Sequence, residues 1–166
     1  LGDIDAGYVW HPTLQEMLDD GGRVLLDSGD LVADGIVTAD TIVVREEFSK
    51  NHPELVRAYL RSQIRAVDYY RNQPDQAAAD VAKLFEIKAD DAKKMMEELI
   101  WLSGREQASP AYLGDGNAGD FPRVLEDTAQ FLYEQKLIPT VPESGVFRSA
   151  VDPSYLLEVL AESNGD

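Results

Sequence analysis

Apolar residues recur along this chain with two different periods. Over the first 45 positions they come as short runs broken by glycine. Ile4, Ala6 and Val9 lead into Trp10-His11-Pro12; Arg23-Val24-Leu25-Leu26-Asp27 follows a Gly21-Gly22 pair; and Thr38-Ala39-Asp40-Thr41-Ile42-Val43-Val44-Arg45 is dense in β-branched side chains. Runs of this length and composition predict three strands. Between the first two, Thr13-Leu14-Gln15-Glu16-Met17-Leu18 predicts a short helix, opened by Pro12 and stopped by the glycine pair. The stretch carrying Ser28, Gly29 and Gly35 reads as a loop.

From residue 46 the period becomes helical. Residues 46–50 form a turn or short helix, and Pro53 opens a long one. There Leu55, Val56, Tyr59, Leu60, Ile64 and Val67 fall at helical spacing with arginines between them, until Pro74 ends the run and starts the next. Further helices are expected over 75–85 and 89–101, then a loop over 103–120. A helix over 122–135 has Val124, Leu125, Ala129, Phe131 and Leu132 on its inner side. Pro139, Pro142 and Gly145 mark irregular chain, and Asp152-Pro153 cap a last helix over 154–161. Three strands make a small sheet for so many helices, so the rest of the sheet is expected outside these 166 residues. The opening residues, already in a strand pattern and without an initiating methionine, point the same way.

Composition narrows the partners. With 44% hydrophobic residues the chain can build a substantial core. Its 31 acidic and 15 basic residues give a formal charge of −16, which repels nucleic-acid backbones and anionic lipid. The absence of cysteine excludes a disulfide framework and a thiolate zinc site. No apolar run approaches the roughly 20 residues of a membrane span, and no signal-peptide pattern is present in the sequence.

Little conventional chemistry is visible. Gly114-Asp115-Gly116-Asn117-Ala118-Gly119 matches G-x-G-x-x-G, but Ser109-Pro110-Ala111-Tyr112-Leu113 before it makes a poor strand, so it reads as a loop leading into a helix. The two histidines, His11 and His52, have no second histidine at ligand spacing, so no metal is expected. No G-x-S-x-G elbow occurs. The pairs Asp19-Asp20, Glu46-Glu47 and Asp90-Asp91 read as solvated faces and helix N-termini. Two residues stand out. Trp10 ends its run either as a ligand platform outside a strand's carboxyl end or as a core plug. Asp40 interrupts an apolar stretch, either as a paired or ligand-facing carboxylate or as the strand's exposed beginning.

The ordered set GDIDAGYVWHP, GRVLLDSGDLVADGIVTADTIVVREEFSKNHPELVRAYLRS and VLEDTAQFLYEQKLIPTVP resembles the taurine and aliphatic-sulfonate substrate-binding proteins of bacterial ABC importers, over almost the whole chain. The resemblance implies an α/β, type II periplasmic-binding fold, here incomplete and limited to its C-terminal half. It implies that residues 1–37 belong to a second α/β lobe, that 38–41 form a hinge crossover, and that 42–166 are a helix-rich return into the first lobe. It implies a binder of taurine or a related sulfonate in an inter-lobe cleft, with no enzymatic activity and no cofactor. Trp10 would line the cleft and Asp40 would hold the ligand's amino group, with Tyr8, His11 and Thr38 completing the set. His11 departs from the acidic residue usual in the taurine binders. The implied partners are the ligand and the permease subunits, with the full-length protein a monomer. The implied location is periplasmic or extracellular, at the membrane through the transporter. The alternatives are an enzyme on the same fold, resembling pyrimidine synthases, or a binder of nitrate- or pyrimidine-type ligands.

Overall fold

The computed structural model describes residues 4–32 and 36–162; Gly2 and Asp3 of the opening motif and Gly35 of the expected loop lie outside them. The chain divides into two compact units, Leu1–Asp40 and Thr41–Asp166.

The first unit holds two short helices, α1 (Thr13–Asp19) and α2 (Ser28–Val32). α1 ends as its glycine pair requires. Gly21 takes a left-handed φ of 93°, its amide donates to Leu18 O at 3.0 Å, and the Gly22 amide donates to Met17 O at 2.8 Å. This is a Schellman closure, which satisfies two of the carbonyls a helix end leaves free. A side chain at Gly22 would put a Cβ 2.6 Å from Met17 O, so both glycines are needed. α1 lies against the opening segment: a Cβ on Gly7 would sit 3.7 Å from Met17 Cε and 3.8 Å from Ile4 Cδ1. α2 occupies what reads in sequence as loop. Its entry is a reciprocal cap: the Asp30 amide donates to Asp27 Oδ1 at 2.9 Å and the Asp27 amide to Asp30 Oδ2 at 3.1 Å.

None of the described residues is in a strand, so the three expected strands are not formed. The stretches over 4–10, 23–27 and 36–45 are non-helical and carry no ladder. The reason is physical: a strand's backbone groups are satisfied only by a neighbour, and no amount of β-branched sequence supplies one. Val43 is 89% exposed and Leu25 74%.

The second unit is helical: α3 (Glu46–Asn51), α4 (Pro53–Asn72), α5 (Pro74–Phe85), α6 (Ala89–Glu97), α7 (Gly104–Gln107), α8 (Phe121–Glu134), α9 (Ser144–Ala150) and α10 (Ser154–Glu162). Pro53 and Pro74 sit in the first turns of α4 and α5, where the missing amide costs nothing. α5 and α6 close on each other through Ala78, Ala82 and Ala92, with Val81, Ile87 and Met96 packed around them. Small side chains there let the two helix backbones approach. On α4, Val56, Leu60, Ile64 and Val67 turn partly inward as the period requires, while Leu55 and Tyr59 remain exposed.

α4 packs on α10, whose Leu156 and Val159 are buried. Arg57 donates to Glu158 at 2.8 Å and Arg61 to Glu162 at 2.6 Å, so the two helices run parallel with one matched four-residue step. Gly104 opens α7 at this junction, where a Cβ would meet Leu160 Cδ2 at 3.0 Å and Ile64 Cδ1 at 3.1 Å. α7 begins with a capping box, the Ser103 amide donating to Glu106 at 2.7 Å and the Glu106 amide to Ser103 Oγ at 3.3 Å. Arg71 grips the same carboxylate with both terminal nitrogens, at 2.6 and 3.1 Å. The Arg71 bond and then the Ser103 bonds lower the Glu106 pKa to about 2.

Four expectations change here. α6 stops at Glu97 rather than running to 101, because the Trp101 indole N–H donates back to Met96 O at 2.8 Å and its ring packs on Tyr70, centroids 5.5 Å apart. α7 lies inside the expected loop, started by its capping box. α9 forms among the turn residues, with Phe147 buried and the Ser144 hydroxyl bonded to Glu126 of α8. On α8, Ala129 is buried and Val124, Leu125 and Leu132 are partly so, but Phe131 faces solvent.

Candidate functional site

The candidate residues other than Asp40's apolar neighbours all fall within the first unit, and the entry to α1 organises the leading ones. The Leu14 amide donates to Trp10 O at 3.0 Å and the Glu16 amide to Pro12 O at 3.2 Å, which fixes the chain where Trp10 leaves the extended segment. Tyr8 and Trp10 are two residues apart on the non-helical opening stretch. Their rings meet edge to face, centroids 5.2 Å apart and planes at 76°. That geometry sets the positive edge of one ring on the negative face of the other.

Both rings are open to solvent, Trp10 at 72% and Tyr8 at 64%. The core-plug reading of Trp10 therefore does not describe this structure. Exposed indole and phenol rings held against each other can cover a short alkyl chain and offer a π face to a cation. The Tyr8 hydroxyl lies 3.3 Å from Ser28 Oγ at the start of α2. His11, next to Trp10, is half-buried.

Thr38 and Asp40 lie two residues apart on the non-helical stretch that ends the unit, and both are exposed. Among the described residues no hydrogen bond or ion pair joins either of them to the aromatic pair. The structure thus brings together Tyr8, Trp10 and Ser28. Sequence reasoning passed over Ser28, although the Asp27-Ser28-Gly29-Asp30 spacing is a helix-start signature and could have placed it on a helix rather than in a loop.

The other sequence candidates resolve into local structure. The 114–119 glycine stretch is a self-satisfied loop: the Gly114 amide donates to Ser109 O at 3.0 Å and the Gly119 amide to Leu113 O at 3.2 Å. Amides used in this way do not cradle a phosphate. A Cβ at Gly114 would fall 1.9 Å from Asn117 O, and one at Gly119 2.1 Å from Tyr112 O, so closeness of the loop to itself explains these glycines. The loop leads into α8, as expected. Glu46-Glu47 and Asp90-Asp91 lie in the first turns of α3 and α6. His52 joins α3 to α4 and its ring meets Phe48 at a tilt of 50°, centroids 5.1 Å apart. No helix among the described residues is long and apolar enough to cross a membrane.

Comparison with known proteins gives two relatives. The chain is 33% identical over 146 residues to a taurine-binding periplasmic protein of Escherichia coli, an alignment covering 84% of this chain and 43% of that protein. It is 27% identical over 170 aligned positions to a putative aliphatic sulfonates-binding protein of Bacillus subtilis, covering 99% of this chain and 46% of that protein. The chain therefore spans less than half the length of these curated relatives. No family model matches, and no solved structure does. The resemblance carried by the opening and closing motifs is borne out: the chain is related to taurine- and aliphatic-sulfonate-binding proteins.

Proposed function

From this kinship we propose that the chain is part of the substrate-binding component of an ABC importer, binding taurine or a related sulfonate in an inter-lobe cleft. The observation that carries the reading is the likeness to a taurine-binding periplasmic protein along 84% of the chain. The exposed Tyr8–Trp10 pair supports it, because such a platform suits a small zwitterion with a two-carbon chain.

In this reading Trp10 and Tyr8 cover the alkyl chain, and Asp40 takes the ammonium through a charge-assisted hydrogen bond worth about 1.5–3 kcal/mol. His11 and Thr38 complete the polar contacts. The fold is α/β of the type II periplasmic-binding kind, its strands formed with chain outside these residues. The crossover between lobes runs through 38–41, and the division of the chain between Asp40 and Thr41 supports that placement. The protein works in the periplasm or outside the cell, delivers its ligand to the permease and catalyses no reaction.

Calorimetric titration of the full-length protein tests this. Taurine is expected to bind, and Asp40→Asn to weaken it by about 2–5 kcal/mol, because the bound ammonium is left desolvated and unpaired. The same change is expected to leave 2-hydroxyethanesulfonate, which has no amine, much less affected. Binding of nitrate or a pyrimidine with none of any sulfonate would overturn the ligand class. Equal losses for the two sulfonates would remove Asp40 from the site.

A further inference from the structure

Tyr8 poses a physical problem. A phenol ring 64% exposed on a non-helical stretch has little packing to hold its χ1, yet here it stands edge to face with Trp10. Two interactions tie the side chain down among the described residues. One is the ring contact with Trp10, itself 72% exposed. The other is the hydroxyl contact with Ser28 Oγ, 20 residues on in sequence.

Ser28 is better anchored than the ring it touches. It is the first residue of α2, flanked by the reciprocal Asp27–Asp30 cap that fixes both backbone amides of the helix entry. Gly29, next to it, has no side chain to displace that cap; a Cβ there would come within 3.0 Å of Asp27 Oδ1. The backbone that carries the serine hydroxyl is thus held by a structured turn.

We propose that Ser28 is the positioning residue of the aromatic platform. Its hydroxyl holds the Tyr8 phenol, and Tyr8 in turn holds the Trp10 indole in the orientation that meets the ligand. The inference rests on the proposed ligand site and adds to it a residue that does not touch the ligand. An ordered ring loses less freedom on binding than a rotating one, so the anchor contributes to affinity without a ligand contact of its own.

The test uses the full-length protein labelled with 5-fluorotryptophan, the Trp10 fluorine resonance being assigned by its loss in Trp10→Phe. Ser28→Ala is expected to shift that resonance in the ligand-free protein, Tyr8→Phe to shift it in the same direction, and the double variant to shift it no further. Ser28→Thr, which keeps the hydroxyl, is expected to restore it. Taurine affinity is expected to fall about 2- to 10-fold in Ser28→Ala, the range of one neutral hydrogen bond, and to recover in Ser28→Thr. A Trp10 resonance unmoved by Ser28→Ala overturns the positioning role whether or not taurine binds. A shifted resonance with unchanged taurine affinity overturns its part in recognition. Failure of the parent protein to bind any sulfonate would instead strike the functional reading, and the ligand-free resonance would still decide the Ser28 contact.

Discussion

The two units of this chain treat their apolar residues in opposite ways. In the helical unit, Ala78, Ala82 and Ala92 bring two helices together, Leu156 is buried and Val159 is 1% exposed. In the first unit none of the described residues is buried, although Ile4, Val24, Leu25, Leu26 and Ile36 are as apolar as anything in the second. The difference lies in where each kind of backbone finds its partners. A helix satisfies its amides within its own sequence and needs neighbours only for one face. A strand needs another strand for every residue it contains. The chain spans less than half the length of its curated relatives, and in the proposed α/β fold the first unit's apolar stretches would take their partners from chain beyond these residues.

The largest expected effect sets one leucine against another. Leu156→Ala empties a buried site in α10 and is expected to cost about 2–5 kcal/mol in chemical denaturation. Leu25→Ala removes an exposed side chain and is expected to change stability by less than about 0.5 kcal/mol. Both values refer to the 166-residue chain, where Leu25 is exposed and Leu156 is buried. In a longer protein with the proposed α/β sheet, Leu25→Ala is expected to cost as much as Leu156→Ala, and a Leu25 loss that stays small there would break that fold.

The same contrast explains what could be read in advance. Pro53 and Pro74, the Gly21-Gly22 stop and the Asp152 cap are local signals, and the helices they bound appear where they point; the Ser154 amide does donate to Asp152 at 2.9 Å. α2 and α7 were missed although both carry cap spacings, Asp27 to Asp30 and Ser103 to Glu106, because each helix is too short to show a period. The strands were read from short apolar runs, the third dense in β-branched residues, and such runs describe a preference and supply no partner. In the site, Trp10 stood out at the end of its apolar run and Tyr8 came only with the family resemblance, whereas Ser28 meets Tyr8 through folding across 20 residues.

A smaller effect tests the helical unit by pH. The Glu106 carboxyl, drawn down to about 2 by Arg71 and Ser103, ionises more easily folded than unfolded, where it titrates near the ordinary 4.5. Its contribution is therefore complete above about pH 4.5 and is lost as pH falls toward about 2. The pair is almost half exposed, so the effect is modest and screened by salt. Denaturation curves of the parent and Glu106→Gln are expected to differ at pH 6 and to converge as pH approaches 2. A difference independent of pH would show that Glu106 acts through its cap geometry rather than through its charge.

The smallest effect concerns how helices end. α1, α5 and α8 close with the same left-handed corner, and the amide after the corner reaches back to a carbonyl: Gly22 to Met17, Ile87 to Ala82 and Leu137 to Leu132, at 2.8, 3.0 and 2.9 Å. The corner residue is Gly21 in the first unit but Glu86 (φ 56°) and Lys136 (φ 60°) in the second. A side chain in that region costs about 1–2 kcal/mol. Ile87 packs on the buried alanines of α5 and α6, and that contact offsets the cost at Glu86. Neither the first unit, where no described residue is buried, nor the Lys136 corner, whose Leu137 is 70% exposed, has such a contact, so the offset by packing belongs to Glu86 alone. Glu86→Gly keeps the Ile87 contact and relieves the backbone, but it also frees the unfolded chain by about 0.5–1 kcal/mol. The net expectation is a stabilisation of up to about 1 kcal/mol. Gly21→Ala is expected to act with the opposite sign, losing about 1–2 kcal/mol as helix α1 loses its stop. Thermal melts of the two variants against the parent decide it. A Glu86→Gly protein less stable than the parent would mean that the glutamate side chain itself supports the corner, and that the difference between the units lies in the side chain at the corner and not in the packing behind it.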